Sequence, residues 1–561
     1  MKYVLLYPFF LFLLASCSPL DIDNSSSSNT IDTIVKVPID KVIYSPKTFF
    51  VSEKVQAQCN NGASTFTPSA SLENDINIKS MFKNLSGEKK EICANALADF
   101  FEKSLHDTSD AITVVNRTKK NDVDFDILII GSGIHGAILA RNLSYKNPAL
   151  KILVIDKEQH PASHFRTHSF RLNSPSGSNP QTGVDYNSNY FPLSPISIVE
   201  HADIEKKGQK NFPVARQLWN QVIFNLFASN ALFYFDTTIK KIDKIDDNYL
   251  ITLAGNNALN RPLLVKKVVV VSGLGSVIMP NIDDKNWFVT QRDLLASFDS
   301  ESSKIPLVLN YDELFEINEL LLDQGTSFFE IFKNKKIAVI GAGDSGKIVL
   351  EFLAGYAPKQ SYESFGSNKY ASPAEIIWYG QSLKNYISFE NSSTTKGRYK
   401  YEGFKKIYNG ETFNKSKFIF TPIVHKVESI EQDIGDKIRV NYNSLSERVD
   451  LVITAIGYEH DAKKFLSNTS GFMNSKNIRF EYFNYKVHKS TIFSASNENI
   501  AQKICGINSS CEQIFIVGTA VDNHNLSHSR LFVESLTKNN VSIEVLAPLT
   551  RAFSTYLISS F

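Results

Sequence analysis

Ile129-Ile130-Gly131-Ser132-Gly133-Ile134-His135-Gly136 is the most informative run in the chain. Three glycines fit G-x-G-x-x-G directly after an apolar stretch, Phe125 to Ile130, and before a segment of helical character, Ala137 to Leu143. Gly131 allows a tight turn, Gly133 lets the backbone approach a pyrophosphate, and Gly136 lets the helix pack on the strand. Backbone N–H groups at the helix start then face the phosphates, helped by the helix dipole. A second short strand, Ile152 to Ile155, is followed by Asp156 and Lys157. A carboxylate at that place accepts hydrogen bonds from a ribose. The expected binding residues of this first site are Gly131, Ser132, Gly133, Ile134, His135, Gly136, Asp156 and Lys157.

A second copy of the pattern is Val339-Ile340-Gly341-Ala342-Gly343-Asp344-Ser345-Gly346. It follows a strand, Lys336 to Ile340, and precedes a helix from about Ser345 to Leu353. Its next strand, Ile376 to Tyr379, ends in Gly380-Gln381-Ser382 with no acid. An acid there would accept the ribose 2′-hydroxyl of NAD and repel a 2′-phosphate; its absence, with Ser382 and Lys384 nearby, favours NADP. Lys384 reads equally well as a solvated surface lysine. Gly341, Gly343, Asp344, Ser345 and Gly346 are the expected binding residues here.

Further short apolar strands occur at Val265 to Val271, Leu451 to Ala455 and Ile514 to Val517. Strands of four to seven residues alternating with helices imply an α/β fold with two Rossmann-like, doubly wound parallel sheets. The region from Ser302 to Lys335 reads mostly helical, and Tyr362 to Ser372 reads as a loop. Residues 30 to 122 carry no motif, and a helix capped by Ser86 and running to about His106 is expected to pack on the main body.

The 561 residues include 60 Lys plus Arg against 58 Asp plus Glu, a net charge of +2. That balance gives no broad field for nucleic acid or anionic lipid, so neither is expected as a partner through bulk charge. Hydrophobic residues make up 43% and charged residues 21%, which argues for a globular chain rather than wholesale disorder. Aromatic residues reach 12%, with 40 Phe and 22 Tyr. Most are expected in the core, while Phe165, Phe170, Tyr186, Tyr190 and Phe191 cluster where a pocket could be shielded from water.

Two dinucleotide-type turns in one chain resemble the flavoproteins with two dinucleotide-binding domains, in particular flavin monooxygenases and N-hydroxylases. Thr454-Ala455-Ile456-Gly457-Tyr458 resembles the segment that returns the chain to the first domain, and Val271-Ser272-Gly273-Leu274-Gly275 the one by which it leaves. Ile516-Val517-Gly518-Thr519-Ala520 resembles the late turn that touches the flavin. Thr519 stands where many members carry Asp, and the nearest acid is Asp522. The F-x-G-x-x-x-H pattern of flavin-containing monooxygenases is absent. No Cys-x-x-Cys or Cys-x4-Cys follows either turn, which disfavours a disulfide reductase.

The resemblance implies FAD at the first turn and NADP (NADPH) at the second. It implies an FAD-dependent oxidoreductase, monooxygenase-like, in which NAD(P)H reduces flavin that then reacts with oxygen and a substrate. Arg166, Gly518 and Asp522 are expected at the cofactor, and Asn173, Ser174 and His524 at the chemistry. His524 and His528 share a metal-like spacing without a third ligand, so no metal is expected. Two alternatives stay open: an exported flavoprotein oxidase or dehydrogenase that does not use NADPH, and a non-catalytic lipoprotein on a flavoprotein scaffold.

At the N-terminus, Lys2 and the apolar run from Tyr3 to Ala15 fit a signal peptide and are short for a membrane span. Leu14-Ala15-Ser16-Cys17 resembles the bacterial lipobox. It implies cleavage before Cys17, lipidation of Cys17 and a Ser-rich tether, hence a lipid-anchored protein of the bacterial cell envelope facing away from the cytoplasm. Cys59, Cys93, Cys505 and Cys511 remain, an even number with three possible pairings, of which Cys505 with Cys511 is the shortest loop. Four unrelated buried thiols are the other possibility. The expected organisation is a signal peptide (1–16), a tether with a mostly helical segment (17–122), the first part of an FAD domain (123–285), an inserted NAD(P) domain (286–455) and the second part of the FAD domain (456–561).

Overall fold

A computed structural model describes residues 37–60, 63–107, 112–119, 122–163, 214–271, 276–277, 307–311, 313–315, 317–318, 328–342, 344–355, 372–380, 407–410, 418–433, 437–456, 458–459, 467–473, 478–485, 498–506, 511–517, 553–554 and 557–561. The chain opens with β1 (Asp40–Tyr44), β2 (Phe49–Phe50), α1 (Glu53–Gln58), β3 (Thr65–Phe66), α2 (Leu72–Ser80), α3 (Gly87–His106) and β4 (Ile112–Asn116). Next come β5 (Phe125–Ile130), α4 (Ile134–Lys146), β6 (Ile152–Ile155), α5 (Val214–Phe227), β7 (Leu232–Tyr234), β8 (Thr237–Ile245), β9 (Asn248–Gly255) and β10 (Leu263–Val270). After β11 (Ser276–Val277) the chain forms β12 (Leu307–Asn310), α6 (Phe328–Phe332), β13 (Lys336–Ile340), α7 (Asp344–Leu353), β14 (Glu375–Tyr379) and β15 (Ile419–Ile423). The meander β16 (Ser429–Asp433), β17 (Lys437–Tyr442) and β18 (Leu445–Val449) leads to β19 (Leu451–Thr454) and β20 (Tyr458–Glu459). The final strands are β21 (Ile478–Tyr485), β22 (Glu498–Gly506) and β23 (Cys511–Val517).

Two sheets carry the fold. In one, β23, β10, β5, β6 and β7 run parallel in that order, with β22 and β21 added antiparallel beyond β23 and the hairpin β8–β9 branching from β10. In the other, β12, β19, β13, β14 and β15 run parallel in that order. The second sheet interrupts the first in sequence, between β10 and β21. The outgoing strand β11 and the returning strand β20 pair antiparallel at the crossing. The plan is the same in both sheets: strand, glycine turn, helix, second strand, third strand, antiparallel meander, returning strand. Four of the five residues of β13 and all of β6 are buried, as parallel strands covered on both faces must be. The expected α/β fold with parallel sheets is what the chain adopts.

The N-terminal segment is more than the mostly helical stretch expected from sequence. Its strands form two antiparallel pairs, β1 with β4 and β2 with β3, alongside three helices. Helix α3 ends where the periodicity put it. Ser86 occupies the N-cap, but its side chain makes no capping hydrogen bond, so burial rather than capping holds the helix. Cys93, Leu97, Phe101 and Leu105 of α3 are fully buried against Leu139 and Leu143 of α4 and Phe224 and Phe227 of α5. Burying such side chains contributes about 1.5–3 kcal/mol each, enough to make this layer integral to the first sheet. Phe101 stacks on Phe227 at 4.0 Å between ring centroids and meets Phe66 edge-on at 5.2 Å. Phe315, Phe328, Phe329 and Phe352 fill the corresponding place beside the second sheet. Core packing therefore absorbs much of the aromatic excess.

Polar links join the N-terminal layer to the sheet. The Asp124 carboxylate accepts from the Val42 N–H (2.6 Å), the Leu264 N–H (2.7 Å) and Arg117 (3.0 Å). A disulfide joins Cys59 to Cys93. Cys511 is also disulfide-bonded, and Cys505 faces it in the register of β22 and β23.

One stretch departs from expectation. Residues 302–335 contain β12, which pairs with β19. Leu307, Val308 and Leu309 form too short an apolar run for periodicity to separate strand from helix.

Candidate functional site

The first glycine turn is built by its neighbours. Gly131 has φ +110°, a backbone state that favours glycine. Its N–H donates to the Ile155 carbonyl (2.8 Å), while the Ile130 carbonyl accepts from the Val271 N–H (2.8 Å). A Cβ at Gly136 would collide with the Gly131 carbonyl oxygen, so α4 approaches β5 as closely as it does only because that side chain is missing. Gly133 differs. It caps α4 with an ordinary φ of −69°, and a Cβ there would meet nothing within 4 Å. Backbone conformation thus calls for one glycine and packing for another, while the third borders open space at a helix N-terminus.

Asp156 closes the site. Its Oδ2 accepts from the Ser132 N–H (2.7 Å) and the Ser132 hydroxyl (2.6 Å), and its Oδ1 accepts from the Glu158 N–H (3.0 Å). Burial raises the Asp156 pKa, and these hydrogen bonds oppose the rise. The carboxylate that sequence reading assigned to a ribose is therefore already fastened to the glycine turn. Lys157 lies 69% exposed and pairs with Glu158 at 3.2 Å. Ile134 and His135 are buried in α4, and burial lowers the His135 pKa to about 4, so the imidazole is neutral.

The second turn repeats the backbone part of this scheme. Gly341 has φ +132°, its N–H donates to the Tyr379 carbonyl (2.9 Å), and the Ile340 carbonyl accepts from the Ala455 N–H (2.7 Å). A Cβ at Gly346 would strike the Gly341 carbonyl, as at Gly136, and a Cβ at Gly341 would strike the Ala455 carbonyl. The indole N–H of buried Trp378 donates to the Gly341 carbonyl at 2.7 Å. In the first unit Asp156 N–H bonds the Tyr234 carbonyl (2.9 Å); in the second, Gly380 N–H bonds the Ile423 carbonyl (3.1 Å). Gly380 is the counterpart of Asp156, and the second unit has no acid there. Asp344 and Ser345 open α7.

Cys17, Arg166, Asn173, Ser174, Gly343, Lys384, Gly518, Asp522, His524 and His528 lie outside the described residues, as do the aromatic side chains at 165, 170, 186, 190 and 191. A group that sequence reading missed sits beside the first unit. Glu102 and His106 of α3 meet His160, which follows β6, with His160 Nδ1 2.7 Å from Glu102 Oε1. The Glu102/His106 spacing of one helical turn was the available signal.

No protein-family model matches the sequence, and no curated protein matches it. Solved structures similar in fold include an ornithine N-hydroxylase from Kutzneria sp. 744, in complex with reduced FAD, NADP+ and L-ornithine, at 14% identity and TM-score 0.46 over 78% of this chain and 99% of that one. A bacillithiol disulfide reductase from Bacillus cereus follows at 14% identity and TM-score 0.41, with 78% and 99% covered. Thioredoxin reductase from Lactococcus lactis has 10% identity and TM-score 0.37, with 78% and 100% covered.

Proposed function

We propose that the chain is an FAD-dependent oxidoreductase, monooxygenase-like, that takes reducing equivalents from NAD(P)H and acts on a small-molecule substrate. The observation that carries this reading is the same turn built twice, with matching hydrogen bonds, in two parallel sheets of one chain. The first unit fits a dinucleotide: Gly133 leaves space for phosphate at the start of α4, and Asp156 offers a carboxylate beside it. Bound FAD would supply the electron-accepting ring. The chain's own part is to hold one dinucleotide at residues 131–136 and a second at residues 341–346. Arg166, Gly518 and Asp522 are proposed at the flavin, and Asn173, Ser174 and His524 at the substrate. Lacking an acid at Gly380, the second unit is proposed to accept NADP.

The test is reconstitution of the purified chain with FAD, followed by anaerobic mixing with NADPH. A retained flavin spectrum that bleaches on mixing is expected, and protein that stays colourless overturns the reading.

A second reading has its own support. Three disulfide-bonded cysteines, Cys59, Cys93 and Cys511, suit an oxidising compartment, where NADPH is scarce. Taken with the lipid anchor proposed at Cys17, they support an envelope flavoprotein oxidase or dehydrogenase reduced by something other than NADPH. Flavin that binds but fails to bleach with NADPH selects this reading.

A further inference from the structure

We propose that Glu102, His106 and His160 form a binding site for one divalent transition-metal ion of the zinc type. Their ligand atoms all lie within 4.8 Å of one another, the one such group among the described residues. Two come from one helix face: Glu102 and His106 are one turn apart at the end of α3, so both project toward the same point. The third, His160, comes from the segment behind β6 and reaches Glu102 through a 2.7 Å contact at Nδ1. The His106 and His160 rings meet edge to face at 6.0 Å, and His106 also packs on Phe235 at 4.7 Å, which fixes the imidazole.

The donor set selects the ion. Two imidazoles and one carboxylate suit zinc, cobalt or copper, whereas calcium and magnesium prefer six or more oxygens. Three protein ligands leave a fourth position for water, as in open zinc sites. Bonds of ~2.0–2.1 Å place tetrahedral ligand atoms about 3.3 Å apart, so the Glu102–His160 contact opens by roughly half an ångström to admit the ion. The electrostatics agree. Glu102 is 7% exposed, and the group sits at the C-terminus of α3, the negative end of the helix dipole. A cation there meets a nearly buried carboxylate and a favourable field. The ion would tie α3 to the segment that begins at Asp156, clamping the N-terminal layer to the first glycine unit.

The experiment uses the full untagged chain, stripped with chelator and titrated with Co2+ in wild type, Glu102→Gln, His106→Ala and His160→Ala. Visible d–d absorbance and calorimetry are expected to report about one Co2+ per chain, displaced by Zn2+. Each single variant is expected to bind at least about tenfold more weakly, as loss of a metal's close partners generally does. Glu102→Gln keeps shape and a hydrogen bond to His160, and circular dichroism confirms its fold, so it decides if a histidine variant does not fold. No Co2+ uptake by wild type, or equal uptake by Glu102→Gln, overturns the proposal and leaves the trio as a hydrogen-bonded brace.

Discussion

At the residue scale the three glycines of the first turn make separable predictions. Gly133 has ordinary φ and open space where a Cβ would stand, so Gly133→Ala should change stability by less than about 1 kcal/mol. The same methyl group would occupy the approach of a phosphate, so flavin retention should fall sharply. Gly341→Ala meets both a positive φ of +132° and the Ala455 carbonyl, and should cost about 2–5 kcal/mol in chemical denaturation. Unfolding curves beside flavin absorbance check the contrast, and an unstable Gly133→Ala would refute it. His135 makes a pH prediction. Its folded pKa, about 4, lies below the unfolded value of about 6.5, so the unfolded chain binds the extra proton between those limits. Stability is full above about pH 6.5 and falls as pH drops toward 4, by on the order of 3 kcal/mol from this group. His135→Gln should flatten that part of the stability–pH curve relative to wild type.

At the element scale the question is what fixes α2 and α3 to the first sheet. Asp75 of α2 pairs with Arg141 of α4 at 2.6 Å, with side chains 11% and 1% exposed. Burial lowers the Arg141 pKa while Asp75 opposes that change, so the pair is held against a desolvation cost. Asp75→Ala strands a buried guanidinium and should cost about 3–5 kcal/mol, whereas Asp75→Leu combined with Arg141→Met should recover most of it. Equal destabilisation by the double change would count against the ion pair as the cause. This layer also shows where sequence reading runs out. The strands around Gly131 and Gly341 were legible because positive φ demands glycine and parallel strands demand unbroken apolar runs such as Ile152–Ile155. Helix α3 was legible from one apolar face. Asp75 with Arg141, and Glu102 with His160, are partners across long sequence separations that no local period announces. The meander β16–β18 was missed although Ile438, Val440 and Tyr442 of β17 alternate buried with half-buried neighbours. That alternation is itself a strand signal, so β17 was available to sequence reading.

At the scale of the whole molecule, the chain is one plan written twice with one pointed difference. Both sheets order their parallel strands alike, and both turns bond alike, yet Asp156 in the first unit corresponds to Gly380 in the second. If the units were interchangeable supports, that difference would be idle. If each holds its own dinucleotide, it sets which one. A carboxylate at position 380 would accept a ribose 2′-hydroxyl and repel a 2′-phosphate. Gly380→Asp should therefore move the preference for reductant from NADPH toward NADH, by about tenfold or more in the ratio of flavin reduction rates, since one lost or gained charged contact is worth ~1.5–3 kcal/mol. Flavin content should stay unchanged, because the substitution lies in the sheet that does not contain Asp156. Stopped-flow reduction with each nucleotide reads the ratio directly. A ratio that does not move while flavin is reduced normally would mean that the second turn does not hold the ribose end of the reductant. Loss of flavin from Gly380→Asp would mean that the two units do not act separately.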